Sequence, residues 1–368
     1  WHLISSPVNN MTIAGSDFEP DAGADNDDFY AWEESSSTWL NFEVGSNNIT
    51  NFENGNGYLV AYENTATREF IGDLNTNDVT ISGLSDQTPS DNSTYGWNLV
   101  GNPFSSAIQW DNGDWSLGNF QATAKIRDES GGNYIDITSG GTNIIPINQG
   151  FFVQAISDEV SLTIPSSSQT HSSQGFYKKG RNSEGFLKLK VSADANSFYD
   201  IQTIRLHESS DESYDRYDSE KFAGNENAPQ IYSIDENSGK LSTHSVNPSS
   251  IDDTRIFPLG FEAVDGEYTV SLEMNTLGEE YSAVLEDTKA DKMIDFSEQE
   301  TYTFSALEGD DVERFRLHLK KSAIGIPEDS ELQNTHIYAN NHNIYIQTSK
   351  NLTDGTVFVY NTLGQLVV

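Results

Sequence analysis

An all-β protein is expected from this chain on three counts. Short runs rich in aromatic and β-branched residues recur along its length, bounded by Gly, Asn, Asp and Ser, which is the composition of strands between turns. Several runs alternate apolar and polar. In ERFRLHLK, Phe315, Leu317 and Leu319 share one face while Arg314, Arg316, His318 and Lys320 share the other, the period of a strand with one buried side. No stretch of useful length carries the 3.6-residue apolar period of a helix.

The strands begin with a unit written twice. WHLISSPV at Trp1 returns as WNLVGNPF at Trp97, an offset of 96 residues, and GYLVAYE at Gly57 returns as GFFVQAI at Gly150, an offset of 93. Glu34-Ser35 matches Glu129-Ser130, and Trp39 matches Tyr134, both at 95. Residues 1–165 are therefore expected to form a duplicated β module with copies at about 1–94 and 95–165. The first copy runs through FYAWEESSSTWLNFE, NITNFENGNGYLVAY and VTIS; the second through AKIRDESGGNYIDIT, TNIIPINQGFFVQA and LTIP. The Gly opening each aromatic run suits a turn or a close backbone approach, and the Pro of each Trp motif suits a strand end.

Residues 166–185 turn polar and small, SSSQTHSSQGFYKKGRNSEG, and read as a linker with a basic island at Lys178, Lys179 and Arg181. Residues 186–321 supply nine further candidate strands, FLKLKVSA to ERFRLHLK, a density expected of an antiparallel β-sandwich of immunoglobulin or jelly-roll type. In EYTVSLEM, Val270, Leu272 and Met274 are expected inside, and the insertion Ser209–Gly224 is the one place that suits a short helical turn. A connector over 322–334 leads to 335–368, where NIYIQT and TVFVYN predict a partial hairpin around Asp354-Gly355.

The bulk numbers narrow the function. With 57 acidic and 20 basic residues the formal charge is −37, which opposes nucleic acid and anionic lipid as partners and suits solubility in a salty external medium. The absence of cysteine excludes disulfides, thiolate metal sites and cysteine nucleophiles. No apolar run reaches the 18 residues or so of a membrane span. Trp1 opens in mid-strand pattern, so a signal peptide and further domains are expected upstream.

The 335–368 tail resembles the start of the type A C-terminal sorting domain of the bacterial type IX secretion system of Bacteroidetes. The resemblance rests on Asn343-Ile344-Tyr345-Ile346, Val357-Phe358-Val359-Tyr360-Asn361 and Thr362-Leu363-Gly364-Gln365-Leu366-Val367. Upstream, GWNLVGNPF and GYLVAY are similar to repeats common in such cargo proteins. YDRYDSEKFAG, LEDTKADKMIDF, TYTFSA and RFRLHL resemble the sandwich that often precedes the sorting tail. This resemblance implies Ile344, Tyr345, Ile346, Val357, Val359, Tyr360, Leu363, Gly364 and Gln365 as sorting-signal residues. It also implies the outer-membrane translocon and its shuttle proteins as partners, and a secreted or cell-surface location.

The chemistry-bearing motifs are few. Seven histidines lack the HExxH spacing, and no nucleophile elbow, P-loop or dinucleotide fingerprint occurs. Glu33, Glu34, Asp128 and Glu129 recur at equivalent positions of the two copies, which favours a structural or binding role over catalysis. For a hard cation such as Ca²⁺ the candidate ligands are Asp17, Asp21, Asp25 and Asp27 on a Gly-containing loop, with Asp211, Asp215 and Asp218 as a second set. For stacking on sugar rings the candidates are Trp32, Trp110 and Trp115, beside acidic or Gly-rich turns, whereas Trp1 and Trp97 read as core. The expectation is a non-catalytic part of a large surface protein, a stalk or spacer bearing the secretion signal. The alternative is a module that binds extracellular polysaccharide or serves as an adhesin, stabilised by calcium.

Overall fold

In the first copy the aromatic runs become seven strands: β1 (His2–Ser5), β2 (Met11–Thr12), β3 (Asp28–Glu33), β4 (Thr38–Asn41), β5 (Asn51–Phe52), β6 (Gly57–Ala61) and β7 (Val79–Leu84). The second copy supplies β8 (Trp97–Gly101), β9 (Ala107–Gln109), β10 (Phe120–Asp128), β11 (Asn133–Ile137), β12 (Ile144–Ile145), β13 (Gly150–Ala155) and β14 (Val160–Ile164). These come from a computed structural model describing residues 1–21, 27–88, 94–139, 143–171, 185–237, 239–278 and 280–321, with the strands His336–Asn340 and Asn343–Gln347.

The duplication is visible in the pairing. The first copy's main sheet has the order β1-β6-β3-β4, and the second has β8-β13-β10-β11, the same order with each strand replaced by its repeat. The short pair β2–β5 is matched by β9–β12. The closing strands β7 and β14 pair with each other, Thr80 opposite Thr163, their hydroxyls 2.9 Å apart. Each copy has a core, and Val79, Ile81 and Leu84 of β7 cross into the second one. Phe29, Phe52, Tyr58 and Val60 lie in the first, and Trp110, Phe120, Phe151 and Val153 in the second.

Within the stretch read as linker, Gln169–Thr170 forms β15 and pairs with β9, so regular structure extends past residue 165. The third module follows as β16 (Gly185–Ala193), β17 (Tyr199–Leu206), β18 (Ser219–Glu220), β19 (Gln230–Ile234), β20 (Lys240–Val246), β21 (Thr254–Glu262), β22 (Gly266–Asn275), β23 (Tyr281–Asp287), β24 (Lys292–Asp295), β25 (Thr301–Ala306) and β26 (Phe315–Lys321). All but β18 lie on one hydrogen-bonded path, β24-β23-β26-β21-β19-β20-β17-β16-β22-β25. Its pairs are antiparallel except β17–β20.

The sheet curls around one apolar core that includes Leu189, Phe257, Phe304 and Leu317. Its two end strands come back together. Lys292 on β24 stands 5.6 Å from the Tyr302 ring on β25, and the Tyr302 hydroxyl donates to Asp287 at 2.9 Å. Phe315, Leu317 and Leu319 point into this core as their alternation predicts. Val270 is also buried and Leu272 packs against the core, but Met274 is only half-buried. Lys188 and Leu189 oppose Met274 and Leu272, so Glu273 is the extra residue of a β-bulge and turns Met274 to the other face.

Residues 209–224 carry no helix among the described residues. Instead β18 pairs with β20, and Phe222 inserts between modules, its ring 4.8 Å from Trp97 and 5.3 Å from Tyr134. The same junction buries a polar cluster. Lys125 Nζ lies 2.6 Å from Asp136 and 2.7 Å from Ser242, while Asp136 accepts from Ser242 at 2.8 Å and Thr243 at 2.6 Å. Burial drives the Lys125 ammonium toward a lower pKa, and Asp136 opposes that shift. Next to it Lys221 grips both oxygens of buried Asp200 at 2.6 Å.

Trp1–Lys321 thus form one unit, and Ser322–Val368 form a second. In the second unit β27 (His336–Asn340) pairs antiparallel with β28 (Asn343–Gln347), joining Ile337 to Ile346 and Tyr338 to Tyr345. Strand β28 carries Ile344, Tyr345 and Ile346, and among the described residues its partner is β27, N-terminal to it, a strand the sequence pattern did not single out. Val357, Val359, Tyr360, Leu363, Gly364 and Gln365 lie outside the described residues.

Candidate site at the seam of the two copies

The two copies meet by reciprocal contacts. Ile4 bridges to Gln149, and its repeat Val100 bridges to Asn56, the repeat of Gln149. The Ser5 amide donates to Asn148 O at 2.9 Å, and the Gly101 amide donates to Gly55 O at 2.7 Å. When residue i of one half meets j of the other and j meets i, the halves are related by a two-fold axis; here it is a pseudo-axis within one chain.

This geometry accounts for the repeated glycines. A Cβ on Gly57 would strike Val100 O and sit 2.8 Å from Leu99 Cγ, and one on Gly150 would sit 3.0 Å from Ile4 O. Gly55 (φ +80°) and Asn148 (φ +57°) occupy the matching left-handed positions before each strand.

A pseudo-axis produces two clefts from one design. The first, about 380 Å³, is lined by Trp32, Glu34, Asn56, Asn98 and Leu99. The second, about 520 Å³, is lined at the repeat positions by Arg127, Glu129, Gln149, His2 and Leu3. Their chemistry has diverged. The first cleft holds three carboxylates, Glu33, Glu34 and Glu53, with no basic lining residue. The second holds Arg68 and Arg127 against the single carboxylate of Glu129.

In the first cleft Glu34 is consumed by the segment joining the copies. Its carboxylate accepts from Ser85 Oγ at 2.6 Å, Gln87 N at 3.0 Å, Thr88 N at 2.9 Å and Gly96 N at 3.0 Å, and the Thr88 hydroxyl donates to its carbonyl. Burial alone would raise the Glu34 pKa; the hydrogen bonds outweigh it and hold the carboxyl below its usual range. Of the structural or binding role expected of the repeated acids, Glu34 displays the structural one. Glu129, its repeat, remains exposed, 2.7 Å from His2 Nδ1.

In the second cleft Arg68 stacks on Tyr62, guanidinium carbon 3.4 Å from the ring centroid, while the Tyr62 hydroxyl donates to Phe18 O at 2.8 Å. Burial pushes that hydroxyl's pKa up to about 12. Arg127 lies opposite Tyr134 in the β10–β11 register and hydrogen-bonds its hydroxyl. Arg68 Nε, Arg127 Nε and Asn148 Oδ1 are buried without a hydrogen-bond partner among the described residues. Neither arginine stood out in the sequence. The available signal was the break in the repeat, because Arg127 replaces the Trp32 of the first copy.

The residues singled out from sequence fare differently. Trp110 and Trp115, expected at the surface, are 0% and 8% exposed. Their rings pack 4.7 Å apart, and their indoles donate to Ala122 O and Gln109 O. The acidic and Gly-rich turns beside them lie over the core, so neighbouring polarity was a poor guide to exposure. Trp32 is half-buried, 5.0 Å from Trp39, and donates to Trp97 O at 2.7 Å. Trp97 is fully buried as expected, whereas its repeat Trp1 is 47% exposed beside Tyr30 at 5.9 Å. Phe222 packs on the Trp97 ring at 4.8 Å, whereas among the described residues the ring contact of Trp1 is with Tyr30 alone.

Of the calcium candidates, Asp17 accepts from the Glu69 amide at 3.0 Å, Asp27 accepts from the Asp21 amide at 3.2 Å and the Glu63 amide at 2.8 Å, and Asp25 lies outside the described residues. Asp211, Asp215 and Asp218 form a turn in which carboxylates cap successive amides. Among the described residues no group of three or more acidic or histidine side chains is placed to hold a metal ion. No described helix is long and apolar enough to cross a membrane. Comparison with family models, curated proteins and solved structures yields no match, so the reading of the clefts rests on their geometry.

Proposed function

We propose that this chain is a non-catalytic arm of a secreted, cell-surface protein, a rigid spacer whose C-terminal tail addresses it to the type IX translocon and its shuttle proteins. The observation that carries the spacer reading is the junction at Lys125. A buried ion pair bonded to Ser242 and Thr243, with Phe222 wedged beside Trp97, locks the third module to the second copy. A hinge would need a thin, solvated interface; this one is buried and hydrogen-bonded. The charge of −37 suits an arm that stands in salt water without self-association. The address reading rests on the resemblance of the tail.

A second reading, a face that binds extracellular carbohydrate, draws support from the aromatic strip of the first copy, where Trp1, Tyr30, Trp32 and Trp39 are exposed or half-buried. The deciding experiment is to recover the protein from its native organism's medium and cell surface and read its termini by mass spectrometry. A product outside the cell, cut between residues 322 and 335, supports the spacer with a cleaved address. An uncut chain confined to the cytoplasm overturns it. Retention of the secreted product on insoluble neutral polysaccharide, lost in Trp39→Ala, would favour the second reading.

A further inference from the structure

The second seam cleft is a local reversal of charge on a strongly acidic molecule. Two arginines line it against one carboxylate, and that carboxylate is engaged by His2. Neither Arg68 nor Arg127 forms an ion pair among the described residues; each is instead held by a tyrosine. Buried Arg68 Nε, Arg127 Nε and Asn148 Oδ1 lack hydrogen-bond partners there. These three atoms are closed off from solvent, so a ligand would meet the arginines through their terminal guanidinium nitrogens. A guanidinium presents a planar fork of donors that matches a carboxylate. Asn64 and Thr65 are exposed, line the same cleft and offer amide and hydroxyl groups to a polyol. The cavity of about 520 Å³ falls in the size range of small-molecule sites.

We propose that this cleft binds a small sugar acid, a hexuronate, whose carboxylate charge is met by Arg68 and Arg127 and whose hydroxyls meet Asn64 and Thr65. A long polyanion is disfavoured, because a chain of −37 repels it in proportion to its charge, whereas one carboxylate is admitted by the local arginines. The pseudo-symmetric cleft serves as a built-in control. It shares the repeat positions at the seam but has Trp32 where this one has Arg127, and is lined by Glu33, Glu34 and Glu53 with no basic residue, so it disfavours the same ligand. This site is separate from the aromatic strip and does not depend on how the chain is exported.

The test is calorimetric titration of the full chain with galacturonate or glucuronate at low salt, with glucose and acetate as the arms that remove the charge and the polyol. Hexuronate binding, weakened about tenfold or more in both Arg68→Gln and Arg127→Gln and unchanged in Glu53→Gln of the other cleft, supports the proposal. Hydrogen exchange on the unmutated chain guards against a folding defect in the variants. Protection by hexuronate confined to peptides around residues 2–4, 62–68, 127–129 and 148–149 supports the site, and protection elsewhere overturns it. Absence of binding, retention of affinity in both arginine variants, or acetate or glucose binding as well as hexuronate also overturns it.

Discussion

Ser5 and Gly101 hold the same place in the two copies and stand face to face at the seam: a Cβ on Gly101 would overlap the Ser5 side chain. Repeat equivalents meet only on a two-fold axis, so this pair marks where the pseudo-axis passes. The duplicated module thus has the symmetry of an isologous dimer within one chain, and the third module packs on its second copy. Repeat mates then differ by what surrounds each: Phe222 of the third module over Trp97, and the inter-copy segment around Glu34. Trp97 is sealed and Trp1 is open; Glu34 is tied down and Glu129 reaches solvent.

Gly57→Ala and Gly101→Ala are expected to destabilise the chain by about 3 kcal/mol or more, at the upper end of overpacking, because the obstructing atoms include backbone that cannot swing aside. Gly118→Ala, with open space around it, is expected to stay within about 0.5 kcal/mol of the parent. Urea-denaturation midpoints of the three variants check this, and equal midpoints would remove the close-approach account of the repeated glycines.

Strand identity, duplication and the alternating faces of the third module were legible because they depend on short-range patterns. What covers a strand's other face was not. Trp1 and Trp97 sit in the same motif, yet the ring packed on Trp97 is that of Phe222, more than a hundred residues downstream of both. Trp110 and Trp115 looked exposed from adjacent Asp and Gly, although those turns cross the core. The bulge at Glu273 reverses Met274 because a single inserted residue changes a period of two, and nothing in EYTVSLEM announces it. The seam clefts were out of reach for the same reason, being built from segments whose only sequence relation is the repeat itself.

Removing one partner of a buried ion pair strands the other, at a cost of about 3–5 kcal/mol. Lys125→Met is therefore expected to lose that much, since Asp136 would keep only the Ser242 and Thr243 hydroxyls. The double variant Lys125→Met with Asp136→Leu should lose less than the sum of the two singles, because the stranded charge is gone. A double-mutant cycle in urea measures the coupling. Additive losses would mean that the pair does not act as a unit in joining the modules.

Glu34→Ala should cost about 3 kcal/mol, because several buried donors from the inter-copy segment lose their acceptor at once. Glu129→Ala, at the repeat position on the surface, should cost little. The folded-state pKa of Glu34 is depressed, so its contribution is present above the unfolded value and fades as pH falls through the lower folded one. The gap between parent and Glu34→Gln should accordingly shrink between pH 7 and pH 3. A constant gap would assign the effect to shape and not to the carboxylate charge.

His244 gives the clearest acid dependence. It is buried, its Nδ1 is 3.1 Å from Ser233 Oγ and its ring is 5.1 Å from Phe257. Burial first, and then the Arg255 charge, push its pKa down to about 4, with Asp235 and Glu212 pulling weakly the other way. Below about pH 6.5 the unfolded chain takes up a proton at this site that the folded chain refuses until about pH 4. Stability carried by the neutral ring is therefore complete above pH 6.5 and is lost as pH falls toward 4, by an amount on the order of 3 kcal/mol. His244→Gln removes the titration, so its stability should fall less steeply than the parent's between pH 6.5 and pH 4. Urea midpoints measured across that window decide the matter. Parallel curves for parent and variant would show that His244 is not the source of the slope, while convergence toward acid pH would confirm a neutral histidine held in the third module's core.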